Sequence, residues 1–446
     1  MAEPAQARPS KGRWYVLVII SVMYLITYLD RVNISTAAPQ ISKEFGFDNV
    51  TMGYIFSAFV WAYATFQVPG GWLSDRFGAR GVLAAIVAYW SLMTAATGAA
   101  FNATSFIVLR FLFGVGEAGA FPGATRAMQL WYPRSERGFV QGITHSASRA
   151  GAALAPPIVL LIMLGGQLDV PFFNFSISMP ALGWRSAFLI CGLFGLLWSL
   201  WWGLSYRNLP EDHAMVNRAE LEAIRGVGPD GKINPPPVAE QTRVPWGTLL
   251  RSPNMWAIML AYFTYVYCLW IFLTWLTKYL IDVRHFTLLK GGLLASLPLW
   301  AGVIGDTVGG LATDWLLRRT GNPKLARSSV AITGLLGCAV FIVPAALTGD
   351  PYVAVACLTA SMFFLECTIG PAWAVPMDTG GKYSGTVSGM MNMAGNFGGA
   401  LSPIVFGYLA VGDRWEAPFI VAAVLLVIGA GIWAFWIDPT KAILRD

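Results

Sequence analysis

Five ionisable residues in the first half of this chain stand among apolar neighbours: Asp30, Arg31, Arg110, Glu117 and Arg149. Arginine keeps its charge and grips oxyanions through parallel donors. A carboxylate beside arginines takes or loses a proton according to whether those arginines are otherwise engaged. Together these residues predict a pocket that holds an organic anion and exchanges protons, with Asp30 and Glu117 as the titrating acids. Arg110 and Glu117 are seven apart, two turns on one helical face. A permanent network that only ties helices together is the other reading of the same residues.

The second half is poorer in charge. Its buried acids are Glu366 and Asp306, and its polar and aromatic candidates for contact are Tyr265, Trp270, Trp373, Asn392 and Asn396. Asn392 and Asn396 are one helical turn apart, a spacing suited to reading hydroxyl groups.

The elements that must carry these residues follow from composition. Of 446 residues, 56% are hydrophobic and 12% charged, about half the charged share of a soluble domain. Such a chain is expected in a bilayer. Apolar runs long enough for ~30 Å of hydrocarbon lie near 14–37, 51–74, 81–100, 104–130, 137–164 and 185–206, and again near 255–281, 289–317, 327–347, 352–376, 383–411 and 416–437. The expected fold is therefore all-α, with twelve spans in two pseudo-symmetric six-helix bundles. The organisation expected is a tail over 1–13, a first bundle over 14–206, a linker over 207–254, a second bundle over 255–437 and a tail over 438–446. The first apolar run is too long for a cleaved leader and reads as a span. Residues 211–226 suit a short amphipathic helix on the membrane surface. Helix rise puts Asp30 ~24 Å into its span and Arg110 ~9 Å below the opposite edge, nearly the same level.

Basic residues set the orientation. With the amino terminus inside, twenty loop and tail Lys and Arg fall on the cytoplasmic side, and only Lys43, Arg284, Lys290 and Arg414 fall opposite. Both termini are expected in the cytoplasm. The location expected is the cell membrane, the inner one in a Gram-negative bacterium.

The halves repeat. Gly138, Gly142, Gly151, Leu154 and Pro156 recur 247 positions later as Gly385, Gly389, Gly398, Leu401 and Pro403. The turn Gly71-Trp-Leu-Ser-Asp75-Arg76-Phe-Gly78-Ala-Arg80 likewise has a counterpart in Gly310-Leu-Ala-Thr-Asp314-Trp-Leu-Leu-Arg318-Arg319. Duplication explains both. A carboxylate beside a helix end can pair with arginines of a neighbouring loop when two lobes close, so Asp75, Arg76 and Arg80 with Asp314 and Arg318 are expected to gate.

The Asp75-Arg76-Phe-Gly78 turn and its repeat resemble the signature of the major facilitator superfamily. Three stretches resemble its anion:cation symporter branch, which includes galactonate and hexuronate carriers, sialin and the vesicular glutamate transporters: Tyr28-Leu-Asp30-Arg31-Val-Asn33, Arg110-Phe-Leu-Phe-Gly114-Val-Gly116-Glu117-Ala-Gly119 and Ser388-Gly-Met-Met-Asn392-Met-Ala-Gly-Asn396. The resemblance implies proton symport of a sugar acid or related carboxylate by alternating access. It assigns Asp30 and Glu117 to the protons, Arg31, Tyr63, Trp373 and Asn392 to the substrate, and Arg110 to linking the acids. Tyr28, Arg110, Ser148, Arg149, Tyr265 and Asn396 join the expected contacts. Ser148-Arg149 departs from the uncharged pair of galactonate-type carriers, and the added cation suggests a second acidic group on the substrate. A sodium-coupled or uncoupled carrier, or a transporter-like ligand sensor, stays open beside the proton symporter.

Other classes find no support. Gly114-Val-Gly116-Glu-Ala-Gly119 fits a dinucleotide string but lies in an apolar run with no strand before it. The three histidines form no Ser-His-Asp set, and Cys191, Cys268, Cys338, Cys357 and Cys367 have no metal spacing. No enzyme, metal, cofactor or nucleic-acid partner is expected. The expected partners are a small organic anion, protons and the lipid bilayer, with function as a monomer.

Overall fold

Polar caps mark where the apolar runs begin. Asp48, Asn102, Ser252, Thr287, Asn322 and Asp350 each accept a backbone N–H at the start of a helix. Such caps satisfy donors that the first turn leaves unpaired. Gly46 and Gly321 end two of the longest helices in the left-handed conformation, which glycine adopts without strain.

The computed structural model describes residues 8–133, 136–170, 175–228, 232–235, 246–380, 384–441 and 443. The first half comprises α1 (Gly12–Phe45), α2 (Asn49–Phe77), α3 (Ala79–Thr97), α4 (Ala103–Glu117), α5 (Ala120–Trp131), α6 (Arg137–Leu164) and α7 (Gly183–Ser205). Between the halves lie α8 (Arg218–Arg225) and α9 (Trp246–Arg251). The second half comprises α10 (Pro253–Thr274), α11 (Leu276–Asp282), α12 (Leu288–Thr320), α13 (Pro323–Leu347), α14 (Pro351–Cys367), α15 (Ile369–Gly380), α16 (Ser384–Leu409) and α17 (Glu416–Phe435).

Ten helical runs among the described residues are long and apolar enough to cross a membrane. The other two spans are α2 and α16, of 29 and 26 residues. They pack on each other between the halves, which explains their more polar composition. Gly53 sits against the Pro403 carbonyl and Gly407 against that of Asn49, so each half lends a side-chain-free patch to its partner.

Three expected spans are broken. The fourth kinks at Ala118–Gly119, the tenth at Thr368 and the seventh at Trp275. A short antiparallel hairpin also joins α6 to α7, with β1 (Gly166–Val170) paired to β2 (Phe175–Met179). It is an addition to the all-α expectation. The amphipathic segment expected over 211–226 reduces to α8, because Asn217 caps that helix by accepting from Glu220 N. Glu220 is buried and accepts from the backbone N–H groups of Gly12 and Arg13 at 3.0 and 2.9 Å. The linker thereby caps the start of α1, placing a carboxylate at the positive end of that helix.

The duplication is visible in packing. A methyl on Gly151 would collide with the Leu25 carbonyl, and one on Gly398 with that of Phe263. Equivalent helix pairs, α6 on α1 and α16 on α10, thus approach through equivalent glycines. Gly70 meets Gly119 and Gly310 meets Gly370 in the same way, beside the kinks of the fourth and tenth spans.

The end of the molecule away from the termini is sealed by bonds between halves. Ser35 donates to the Thr274 carbonyl at 2.8 Å and Asn49 to that of Ala410 at 3.2 Å. The Tyr54 and Tyr408 hydroxyls meet at 3.0 Å, Ser57 bonds the Ala400 carbonyl, and Phe56 packs edge-on against Trp275.

Candidate functional site

Below that seal, α1 and the kink of the fourth span bring the predicted charges together. Asp30, Arg31, Arg110 and Glu117 are all buried. Glu117 is the last residue of α4. One of its oxygens receives a hydrogen bond from Arg31 Nε at 2.5 Å and lies in ion-pair contact with Nη2 of the same guanidinium, while Oε2 is buried without a hydrogen-bond partner. Arg110 lies two turns earlier on α4, over the rings of Phe113 and Phe59 at 4.7 and 5.2 Å. Its charge acts on both Glu117 and Asp30. Both Asp30 oxygens are buried without a hydrogen-bond partner.

Aromatic faces surround Arg31. Tyr63 and Tyr28 lie 4.5 and 4.6 Å from its guanidinium carbon, and Phe59 lies 5.3 Å away. These rings supply cation–π attraction while excluding water. The Tyr28 ring also meets the Arg149 guanidinium at 5.7 Å. The two cations therefore stand no further apart than the sum of their distances to that one ring.

Arg149 of α6 reaches across the molecule to Glu366 of α14 at 3.0 Å. The same Glu366 oxygen accepts from the Tyr265 hydroxyl at 3.0 Å. Glu366 is the penultimate residue of α14, just before the kink of the tenth span. Both halves thus end the first part of a broken helix with a buried glutamate that holds an arginine. The sequence marks Glu366 as a buried acid and assigns it no partner. Its position 249 after Glu117, close to the repeat distance of 247, is the signal that points to it.

The remaining candidates divide. Trp373 donates to the Tyr262 hydroxyl at 3.1 Å, and Asn392 donates to Gln67 across the halves at 3.3 Å. Asn396 donates back to the Asn392 carbonyl at 2.8 Å. The Ser148 hydroxyl donates to the His145 carbonyl at 2.6 Å, so its proton is spent on its own helix. His145 was outside the predicted set, yet its ring packs 6.2 Å from Trp373 across the halves. Gln67 and Tyr262 were also missed; being uncharged, they carry no sequence signal in an apolar span.

Asp314 of the expected gate is bonded within the second half. Asp314 takes Arg327 at 3.0 Å, and Arg327 also reaches Asp378 and the Thr313 hydroxyl, each at 3.2 Å. Arg318 is exposed, and the cation bonded to Asp314 comes from the start of α13. Arg327 lies 247 positions after Arg80, so the repeat distance identifies it. Arg80 anchors to the end of α7 through the Gly203 carbonyl at 2.7 and 3.0 Å and through Asn208 at 2.9 Å. Arg76 lies over Trp72 and Phe77 at the same helix end. The Asp75 side chain lies outside the described residues.

A family model described as Major Facilitator Superfamily matches residues 20–403. The chain is 41% identical over 430 residues to a probable sulfoacetate transporter, SauU, of Cupriavidus necator, covering 96% of this chain and 94% of that one. It is 32% identical to a D-galactonate transporter of Escherichia coli, covering 98% of each chain. It is 34% identical to a probable galactarate/D-glucarate transporter, GudP, of Escherichia coli, over 90% of this chain and 87% of that one. Among solved structures, a bacterial homologue of the human lysosomal transporter Spinster in an inward-facing conformation superposes with a TM-score of 0.73 at 17% identity, covering 95% and 96% of the two chains. The xylose transporter XylE in a partially occluded inward-open conformation gives 0.70 at 14%, covering 96% and 98%. These two establish the fold. The chain belongs to the Major Facilitator Superfamily and is a multi-pass membrane transporter, not an enzyme.

Proposed function

We propose that the protein carries a small organic dianion together with protons across the cell membrane by alternating access. The observation that carries this reading is the pair of buried guanidiniums, Arg31 and Arg149, that share the Tyr28 ring while each is held by a glutamate at a helix kink. Two cations within reach of one small molecule match two anionic groups. Sulfoacetate, galactarate and glucarate, named for the relatives above, are all dianions at neutral pH, which supports the same class.

The proton step follows from the Arg31–Glu117 pair. An anion that takes Arg31 leaves Glu117 buried with no cation of its own, and an uncompensated buried charge costs several kcal/mol. A proton on Glu117 removes that cost, and Asp30 beside Arg110 is the second acid. Substrate and proton then favour one another's binding. With both termini in the cytoplasm, as the basic loops favour, the sealed end faces outward. If protons outnumber the substrate's charges, each net inward charge supplies ~2.3 kcal/mol per 100 mV.

Uptake into proteoliposomes tests the reading. Glucarate and sulfoacetate should accumulate under an inward proton gradient and not under a sodium gradient alone. In Arg149→Gln, the KM for the dianion should rise ~10- to 100-fold, as loss of a charge-assisted contact does, while a monoanionic analogue changes less than ~3-fold. Accumulation driven by sodium, or equal losses for both substrates, overturns the proposal.

A further inference from the structure

The Arg149–Glu366 bridge differs from every other buried ion pair described here, because its two members belong to opposite halves of the carrier. It is also incompletely satisfied. Arg149 Nε and Glu366 Oε1 are both buried without a hydrogen-bond partner, and the contact runs through one guanidinium nitrogen and one carboxylate oxygen. A structural arginine–carboxylate pair gains most from two parallel bonds. This one leaves a donor free for a second anion and an oxygen free for a proton. Its position, at the kink of the tenth span and against the ring that also contacts Arg31, places it inside the substrate site rather than beside it.

We propose that Glu366 stands in for the substrate's second anionic group in the empty carrier, and that a dianion displaces it from Arg149 while Glu366 takes up a proton. This rests on the dianion reading above and adds a third coupling acid to it. The balance is simple. Before binding, the Glu366 carboxylate neutralises Arg149. On binding, the substrate's second anionic group takes that place. Glu366 gains one proton from the water phase from which the substrate enters, then returns it when the substrate leaves and the bridge re-forms. Neither Arg149 nor Glu366 is left as an unpaired charge at either stage, and the bond between the halves opens when cargo is aboard.

The groups around Glu366 fit this exchange. Tyr265 and Tyr262 face it from α10, Asp306 from α12 and Arg149 from α6, with Cys367 beside it on its own helix. Tyr28 faces Arg149 from α1. Arg149 is the cation of that set, and Asp306 adds negative charge. Taking Arg149 away from Glu366 therefore leaves one carboxylate near another, the situation that protonation relieves. A monoanion engages Arg31 alone and leaves the bridge closed. The number of protons carried should then follow the charge of the substrate.

Isothermal titration of the purified full chain in two buffers of different ionisation heat measures protons taken up on binding. Sulfoacetate and glucarate serve as dianions, with ethanesulfonate and gluconate as their monoanionic analogues. In the unmodified protein, dianion binding should take up about one proton more than the analogue does. That excess should vanish in Glu366→Gln, while the analogues bind with unchanged proton uptake. An equal uptake for dianion and analogue in the unmodified protein overturns the inference without any variant, so a misfolded Glu366→Gln would not protect it. Persistence of the excess in a monodisperse Glu366→Gln overturns it too. Failure of both dianions to bind the unmodified protein would sink the dianion reading itself, and this inference with it. Dianion binding without the excess would sink the role of Glu366 alone.

Discussion

The two arginine–glutamate pairs look alike locally and differ in what they connect. Arg31–Glu117 joins α1 to α4 within one half, so its geometry is preserved when the halves rock as rigid bodies. Arg149–Glu366 joins α6 to α14 across the halves, so a rocking motion must stretch or remake it. An internal pair suits a site that binds substrate and proton in every conformation. A pair across the interface suits the proposed exchange, in which filling the site opens the bridge. The charge inventory of the halves reflects this division. His145 and Arg149 of α6 stand 247 positions before Asn392 and Asn396 of α16, so the duplicated helices keep the same polar positions, with a cation, Arg149, in the first half only.

The largest expected effect comes from the internal pair. Arg31→Ala removes the cation that holds Glu117 and leaves that acid buried alone, a change that costs ~3–5 kcal/mol when a buried pair is broken. Uptake should fall to background and the unfolding midpoint of the purified protein should drop. Uptake within tenfold of the unmodified protein would mean that Arg31 does not hold substrate. Glu117→Gln is gentler, because the amide keeps the shape while losing the proton site. Accumulation against a gradient should disappear, whereas exchange of labelled for unlabelled substrate continues within a few-fold of the unmodified rate. If proton-driven accumulation survives, Asp30 or Glu366 carries the coupling and the two pairs exchange roles.

Much of this comparison can be read in the sequence, for physical reasons that also explain what cannot. Spacing within a helix is local, so the shared face of Arg110 and Glu117 and the duplicated glycines of α6 and α16 follow from helical periodicity. Gly151 and Gly398 do what small residues at that spacing imply, each touching a neighbouring backbone. The partner of Arg149 lies 217 residues away on the other half, and its identity depends on how two rigid bundles dock. No periodicity carries that information. The kinks after Glu117 and Glu366 fall inside single apolar runs that read as one helix, although Gly119 and Pro122, and Gly370 and Pro371, stand beside them as breaking signals. The hairpin between α6 and α7 lies outside the twelve apolar runs, so the count of spans carries no information about it.

The smallest effect separates two arginines at the foot of the second half. Arg327 is buried and bonds Asp314, Asp378 and Thr313, tying α12, α13 and α15 together, while Arg318 is exposed. Asp314 and Asp378 are partly exposed, so water compensates much of what they lose. Arg327→Ala should lower stability by ~1–2 kcal/mol and slow uptake several-fold with little change in KM, because the tie lies away from the binding pocket. Arg318→Ala should stay within ~0.5 kcal/mol, as exposed substitutions do, and transport at close to the unmodified rate. Thermal unfolding and initial uptake rates measured on both variants order them directly. A larger loss in Arg318→Ala would favour the residue suggested by the repeated turn as the gating cation, since the Arg327 bridge lies wholly within the second half and braces it.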